Sequence, residues 1–154
     1  MIDKKRLVHT FKKLVRIDSP SLKEGKIIKH LKKEIRALGL RPYEGGKPGK
    51  GEAANLVVDV PGIGRNGPRV LLNAHVDTVA PGKGIKPVEK KGYIYSDGTT
   101  ILGADDKSGV TAILEVLRIL RKKKMEHPPL QVVFTVSEEI GLFGAKALPK
   151  KLLN

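Results

Sequence analysis

The sequence predicts an α/β fold, a three-layer sandwich with a mainly parallel central sheet and helices on both faces. Three observations lead there. Apolar residues recur at helical spacing in some segments and form short continuous runs in others, and the two kinds alternate along the chain. Glycine and proline stand between them as breakers. A length of 154 residues, 40% of them hydrophobic and 30% charged, suits one soluble domain with a sizeable core. No internal repeat and no second domain is evident in the sequence.

Leu7, Val8, Phe11, Leu14 and Val15 make residues 3–17 an amphipathic helix, broken by Asp18-Ser19-Pro20. Ser21 and Glu24 have the spacing of a capping box, in which each side chain satisfies a free backbone donor at the next helix start. Ile27, Ile28, Leu31, Ile35 and Leu38 give that helix its stripe, and Gly39 ends it. The glycine-rich segment 43–53 reads as a mobile loop. Residues 55–60 form a strand closed by Pro61-Gly62. Residues 69–75 form another, and Val70-Leu71-Leu72, apolar on both faces, predicts a central place in the sheet. Between them, Gly62-Ile63-Gly64-Arg65-Asn66-Gly67 matches the dinucleotide fingerprint formally, but Pro68 and a strand follow instead of a helix, so it reads as a hairpin loop. Residues 93–95 and 99–102 flank the turn Ser96-Asp97-Gly98. Residues 107–124 read as a helix with Val110, Ile113, Leu114, Leu117 and Leu120 inward and a basic end suited to the helix dipole. A buried strand at 130–136 and a short helix at 141–148, stopped by Pro149, complete the order.

The absence of cysteine excludes disulfides and thiolate ligands and fits a cytoplasmic location. No apolar run reaches membrane-spanning length, and residues 1–16 lack the apolar centre of a signal peptide, so no membrane partner is expected. The net charge of +14 invites a nucleic-acid reading. The basic residues are, however, spread over Lys4-Lys5-Arg6, Lys12-Lys13, Lys32-Lys33 and 121–124, and aromatic residues make up only 4% of the chain. That pattern is a solvated surface with no nucleic-acid partner; a basic binding domain would need salt-sensitive association with DNA or RNA.

Chemistry concentrates in three places. His75-Val76-Asp77, Asp105-Asp106-Lys107 and Glu138-Glu139 each follow an expected strand, where open α/β sheets gather function. Together they hold one imidazole and five carboxylates, the nitrogen and oxygen donors of a hydrolytic metal centre. Singly, each has a plain structural reading: a buried histidine bonded to backbone, a helix N-cap, and solvated acid at a helix start. Asp97 and Asp59 have only turn and strand-end readings. The three clusters at three strand ends point to convergence on one crevice, where unpaired carboxylates would repel without a cation.

The segments Ala74-His75-Val76-Asp77-Thr78-Val79, Leu102-Gly103-Ala104-Asp105-Asp106-Lys107-Ser108-Gly109 and Ser137-Glu138-Glu139-Ile140-Gly141 resemble the three signatures of a co-catalytic dizinc family. That family includes peptidase T, carboxypeptidase G, aminoacylase, acetylornithine deacetylase and succinyl-diaminopimelate desuccinylase. The Gly-Ala-Asp-Asp-Lys and Glu-Glu-Ile-Gly forms are most similar to the peptidase T-like branch, and the resemblance runs from the first helix through Gly144-Ala145-Lys146. It implies a zinc-exopeptidase-like sandwich with two zinc ions, for which cobalt or manganese can substitute. By the same resemblance His75 binds one metal, Glu139 the other and Asp105 bridges both. Asp77 orients His75, Glu138 is the general base, and a cis peptide joins Asp105 to Asp106.

The resemblance also implies what the sequence does not contain. A carboxylate ligand after the helix near Gly141, a distant histidine ligand and an inserted lid and dimerisation domain have no counterpart, since no acidic residue follows Glu139 and the last histidine is His127. Residues 1–154 therefore read as the N-terminal portion of a catalytic domain, incomplete at the C-terminus, with Leu148, Leu152 and Leu153 calling for further packing. A truncated or frameshifted product, one half of a split enzyme, or a minimal form completed by self-association would each fit. The expected function is metal-dependent hydrolysis of a peptide bond in small peptides by a peptidase T-like aminopeptidase, with little activity in this chain alone. An N-acyl amino-acid deacylase on the same scaffold and a non-catalytic remnant or subunit are the alternatives. The expected partner is a small peptide or N-acyl amino-acid substrate, with homodimer formation only through the lid domain.

Overall fold

A computed structural model describes residues 2–152; Leu153, one of the leucines read as calling for packing, lies outside the described residues. Helix α1 (Lys4–Val15) starts at Asp3, whose carboxylate accepts the Arg6 N–H at 3.0 Å. Helix α2 (Gly25–Ala37) buries Ile27, Ile28, Leu31 and Ile35, the stripe read from its spacing. It ends in a Schellman arrangement: Gly39, at φ +74°, donates to Arg36 O and Leu40 donates to Ile35 O. The capping box expected at its start does not form. Glu24 makes no side-chain bond to its own helix, because Ser21 and Glu24 are both drawn away to partners distant in sequence.

The strands are β1 (Tyr43–Glu44), β2 (Leu56–Val60), β3 (Val70–His75), β4 (Val88–Lys90), β5 (Tyr93–Tyr95) and β6 (Leu130–Thr135), with helices α3 (Ala104–Lys123) and α4 (Phe143–Lys146) and a 3-10 turn at Lys150–Leu152. The main sheet has the order β1-β2-β6-β3, in which β3 pairs with β6 in parallel and the other two pairings are antiparallel. The sheet of the described residues is thus mixed, where a mainly parallel one was expected. β6 lies between β2 and β3, so the glycine-rich 62–67 segment crosses to a strand two places away and is not a hairpin loop. Its Ile63 exchanges backbone hydrogen bonds with His127. Tyr93–Tyr95 pairs back onto Val88–Lys90 through Lys91 and Gly92, both at positive φ as a two-residue hairpin turn requires. Residues 99–102 form no strand.

One core unites Leu14 of α1, the α2 stripe, and Val110, Ile113, Leu114 and Leu117 of α3 with Leu56, Val58 and Val60 of β2 and Val132 and Phe134 of β6. Alternation along the strands puts all these sheet residues on one face, so the three long helices share that face. Each fully buried aliphatic side chain contributes about 1.5–3 kcal/mol of transfer free energy. β3 is not central among the described strands. It forms the margin of the sheet, and Val70 and Leu71 remain 40% and 49% exposed. No described helix is long and apolar enough to cross a membrane.

The parallel β3–β6 pair matters most for the site. Its register sets His75 opposite Thr135, so the chain beyond His75 and the chain beyond Thr135 leave the sheet at the same end.

Candidate metal centre

His75 occupies the last position of β3 and is buried. Its Nδ1 lies 3.1 Å from the backbone carbonyl of Asp77, which can only accept, so Nδ1 carries the hydrogen and Nε2 faces outward. Nε2 meets Asp105 Oδ1 at 3.0 Å and Glu138 Oε2 at 3.8 Å. Burial alone would lower the His75 pKa, but the Asp77 and Asp105 carboxylates outweigh it and raise it to about 9.

Asp105 reaches this point from the start of α3, not from a strand end. Its side chain is 87% exposed, and Asp105 and Asp106 have non-helical backbone angles, so the regular helix begins at Lys107 as the sequence reading had it. The Asp105–Asp106 peptide is cis. Asp106 turns away and accepts the Gly109 N–H at 3.0 Å, an N-cap role. Lys107 is fully buried and donates to Ile17 O at 2.8 Å, which pins the helix start to the turn after α1. Burial draws its pKa down to about 8, against a smaller opposing effect of Asp18.

Glu138 and Glu139 follow β6 after a turn at Ser137, whose φ is +52°. Asp77 lies beneath them, fully buried, and does more than face His75 Nδ1 at 3.4 Å. Its Oδ1 accepts the Glu138 N–H at 2.9 Å, its Oδ2 accepts the Glu139 N–H at 3.2 Å, and Ser21 Oγ donates to Oδ2 at 2.6 Å. Burial would raise the Asp77 pKa, yet His75, Ser21 and the two backbone donors together hold it below the ordinary value.

The structure brings three of the five sequence-derived residues together as donors: ligand atoms of His75, Asp105 and Glu139 all lie within 4.8 Å of one another. Zinc bonds of about 2 Å place the donors of one ion within about 4 Å of each other, so atoms within 4.8 Å are close enough to serve metal binding after small side-chain rotations. The donor chemistry also fits, being one imidazole and several carboxylates crowded together. Burial and the nearby Asp105, Glu138 and Asp77 carboxylates push the Glu139 pKa up, against the opposing effect of His75. Ser21, Glu24, Asn55 and Ser137 support the site without any sequence signal that marks them. Ser21 and Glu24 had a complete local explanation in the capping box, and nothing in the local pattern of Asn55 or Ser137 signals a role.

A model of peptidase family M28 matches residues 55–153. The uncharacterized protein YqjE of Bacillus subtilis is 41% identical over 157 residues, which take in 100% of this chain and 42% of that protein. A crystal structure of a tripeptidase from Staphylococcus aureus superposes with a TM-score of 0.94 at 46% identity, covering 100% of this chain and 42% of that one. The aminopeptidase PepT of Bacillus cereus superposes with a TM-score of 0.93 at 43% identity, covering 98% of this chain and 41% of that one. The chain thus spans about two-fifths of the length of these relatives. They bear out the resemblance to the peptidase T-like branch read from the three motifs. With a family match extending over most of the chain and through both the His75 and Glu139 segments, this chain belongs to peptidase family M28.

Proposed function

We propose that this chain supplies the first part of a two-zinc exopeptidase centre that removes a terminal residue from small peptides. The observation that carries the reading is the convergence of His75, Asp105 and Glu139 within 4.8 Å beside Glu138. His75 would hold one ion, Glu139 the other, and Asp105, with two carboxylate oxygens, would be shared. Such ions, when bound, polarise the scissile carbonyl and make water a nucleophile near neutral pH. Glu138, half-buried with its Oε2 3.8 Å from His75 Nε2, takes the proton of the attacking water on a carboxylate oxygen and returns it to the leaving amine. Asp77 keeps both glutamates in place through their backbone N–H groups and holds His75 with Nε2 outward.

The remaining carboxylate and histidine ligands, the lid and the strands that would make the sheet mainly parallel come, in this reading, from sequence outside these 154 residues. The relatives named tripeptidase and aminopeptidase favour a peptide over an N-acyl amino acid as substrate. A chimera tests this: the chain replaces the matching 42% of the S. aureus tripeptidase. Zinc-dependent release of the terminal residue from tripeptides supports the reading. A folded, zinc-loaded chimera with no such activity contradicts it.

A further inference from the structure

The turn carrying Glu138 and Glu139 is held by side chains from three other parts of the chain. Four successive backbone N–H groups find buried side-chain acceptors in place of a neighbouring strand. Val136 donates to Asn55 Oδ1 at 3.1 Å, Ser137 to Glu24 Oε1 at 2.9 Å, Glu138 to Asp77 Oδ1 at 2.9 Å and Glu139 to Asp77 Oδ2 at 3.2 Å. Asn55, Glu24 and Asp77 are all fully buried.

Glu24 stands out among them. It is the N-cap residue of α2 but gives that helix no side-chain bond. Its Oε1 instead gathers three donors: Ser137 Oγ at 2.7 Å, Ser137 N–H at 2.9 Å and Leu22 N–H at 3.0 Å. Its Oε2 is buried without a hydrogen-bond partner. Burying a carboxylate is costly unless its bonds repay it, and charge-assisted bonds of this kind are roughly twice as strong as neutral ones. Two of the three converge on one residue, and that residue is in an unfavourable conformation. Ser137 sits at φ +52°, a left-handed geometry that residues other than glycine hold only when their surroundings fix it. The next two residues are Glu138 and Glu139. A rotation at Ser137 would redirect both carboxylates at once.

We propose that Glu24 is a positioning residue of the metal centre: by holding Ser137 through its N–H and hydroxyl, it sets the direction of Glu138 and Glu139. The inference rests on the reading of Glu139 as a metal ligand. Leu22 N–H, which bonds both Glu24 Oε1 and Ser137 Oγ, closes the same knot from the turn before α2. Ser21, one residue earlier, bonds Asp77. The segment between α1 and α2, remote in sequence from every proposed ligand, therefore braces the glutamate turn at two points.

The test uses the metal-free 154-residue chain for amide hydrogen exchange and the same chain titrated with cobalt(II) for affinity and visible spectrum. In Glu24→Ala, the amides of Ser137, Glu138 and Glu139 are expected to exchange at least about tenfold faster, while those of Val133 and Phe134 keep their wild-type rates. Cobalt affinity is expected to fall about tenfold, with an altered spectrum. Glu24→Gln, which retains an acceptor oxygen, restores most of both. A purely structural glutamate would instead loosen β6 as a whole, so a rise spread evenly over 132–139, or none at all, overturns the proposal. Should Glu24→Ala not fold, Ser137→Ala decides: removing the hydroxyl alone should speed the same three amides by a smaller factor, and unchanged rates there overturn it. A wild-type chain that binds no cobalt overturns the metal reading separately, because the exchange pattern is read without metal.

Discussion

The carboxylate of Asp77 accepts the backbone N–H of Glu138 at 2.9 Å, so the residue behind the histidine is also the floor beneath the glutamates. One buried side chain thereby couples the end of β3 to the turn after β6. Asp77→Asn keeps an acceptor oxygen but turns an NH2 group towards one of the two glutamate N–H donors and removes the charge facing His75. Metal affinity is expected to fall about 10- to 100-fold, the usual size of such effects, measured by competition with a chromogenic chelator.

Glu138 has a different task from its neighbour. In the tripeptidase chimera, Glu138→Gln should leave metal content unchanged and reduce turnover by about 10²–10⁴-fold, the range for a lost general base. Metal analysis alongside peptide-hydrolysis rates checks this, and substantial residual activity would place the base elsewhere.

The α1–α3 contact carries an acid-sensitive ion pair. Glu115 is buried and bonds Arg6 through both oxygens, at 2.6 and 2.9 Å. The Arg6 bond, more than opposing burial, holds the Glu115 carboxyl below its ordinary 4.5. A carboxylate whose pKa is lower folded than unfolded stabilises the fold above the unfolded value and loses that contribution as pH falls through the folded one. Stability should therefore drop as pH falls below 4.5, and Glu115→Gln should make that drop shallower. Urea unfolding of both forms across that range measures it.

Phe134 sits at the centre of the core, fully buried on β6 against the helical face. Phe134→Ala should cost about 3–5 kcal/mol through lost transfer energy and the cavity left behind, read from the urea midpoint of the metal-free chain.

Much of this architecture was legible because its signals are local. The stripe Ile27, Ile28, Leu31 and Ile35 specifies its helix by period alone, and His75, Asp105 and Glu139 sit in short motifs that the fold then brings together. What escaped was settled by partners far away in sequence. Ser21 and Glu24 have capping-box spacing, yet Asp77 and Ser137 offered them buried bonds that a helix end could not match. Residues 99–102 carry two β-branched threonines and two aliphatic residues, yet form no ladder and, among the described residues, make a single backbone–backbone bond, Ile101 N–H to Pro81 O, whereas Tyr93–Tyr95 pairs with a strand. The apolar run at Val70 and Leu71 read as central because central strands are apolar on both faces; here it borders the sheet and stays partly exposed.

The most direct measurement of the central claim is a calorimetric zinc titration of the metal-stripped chain beside its His75→Ala, Asp105→Ala and Glu139→Ala variants. The isolated wild-type chain is expected to bind zinc weakly, with affinity reduced at least about tenfold in each variant, since His75 and Glu139 would each hold an ion and Asp105 would be shared between them. Binding that is absent in the wild type, or unchanged in all three variants, would contradict the claim.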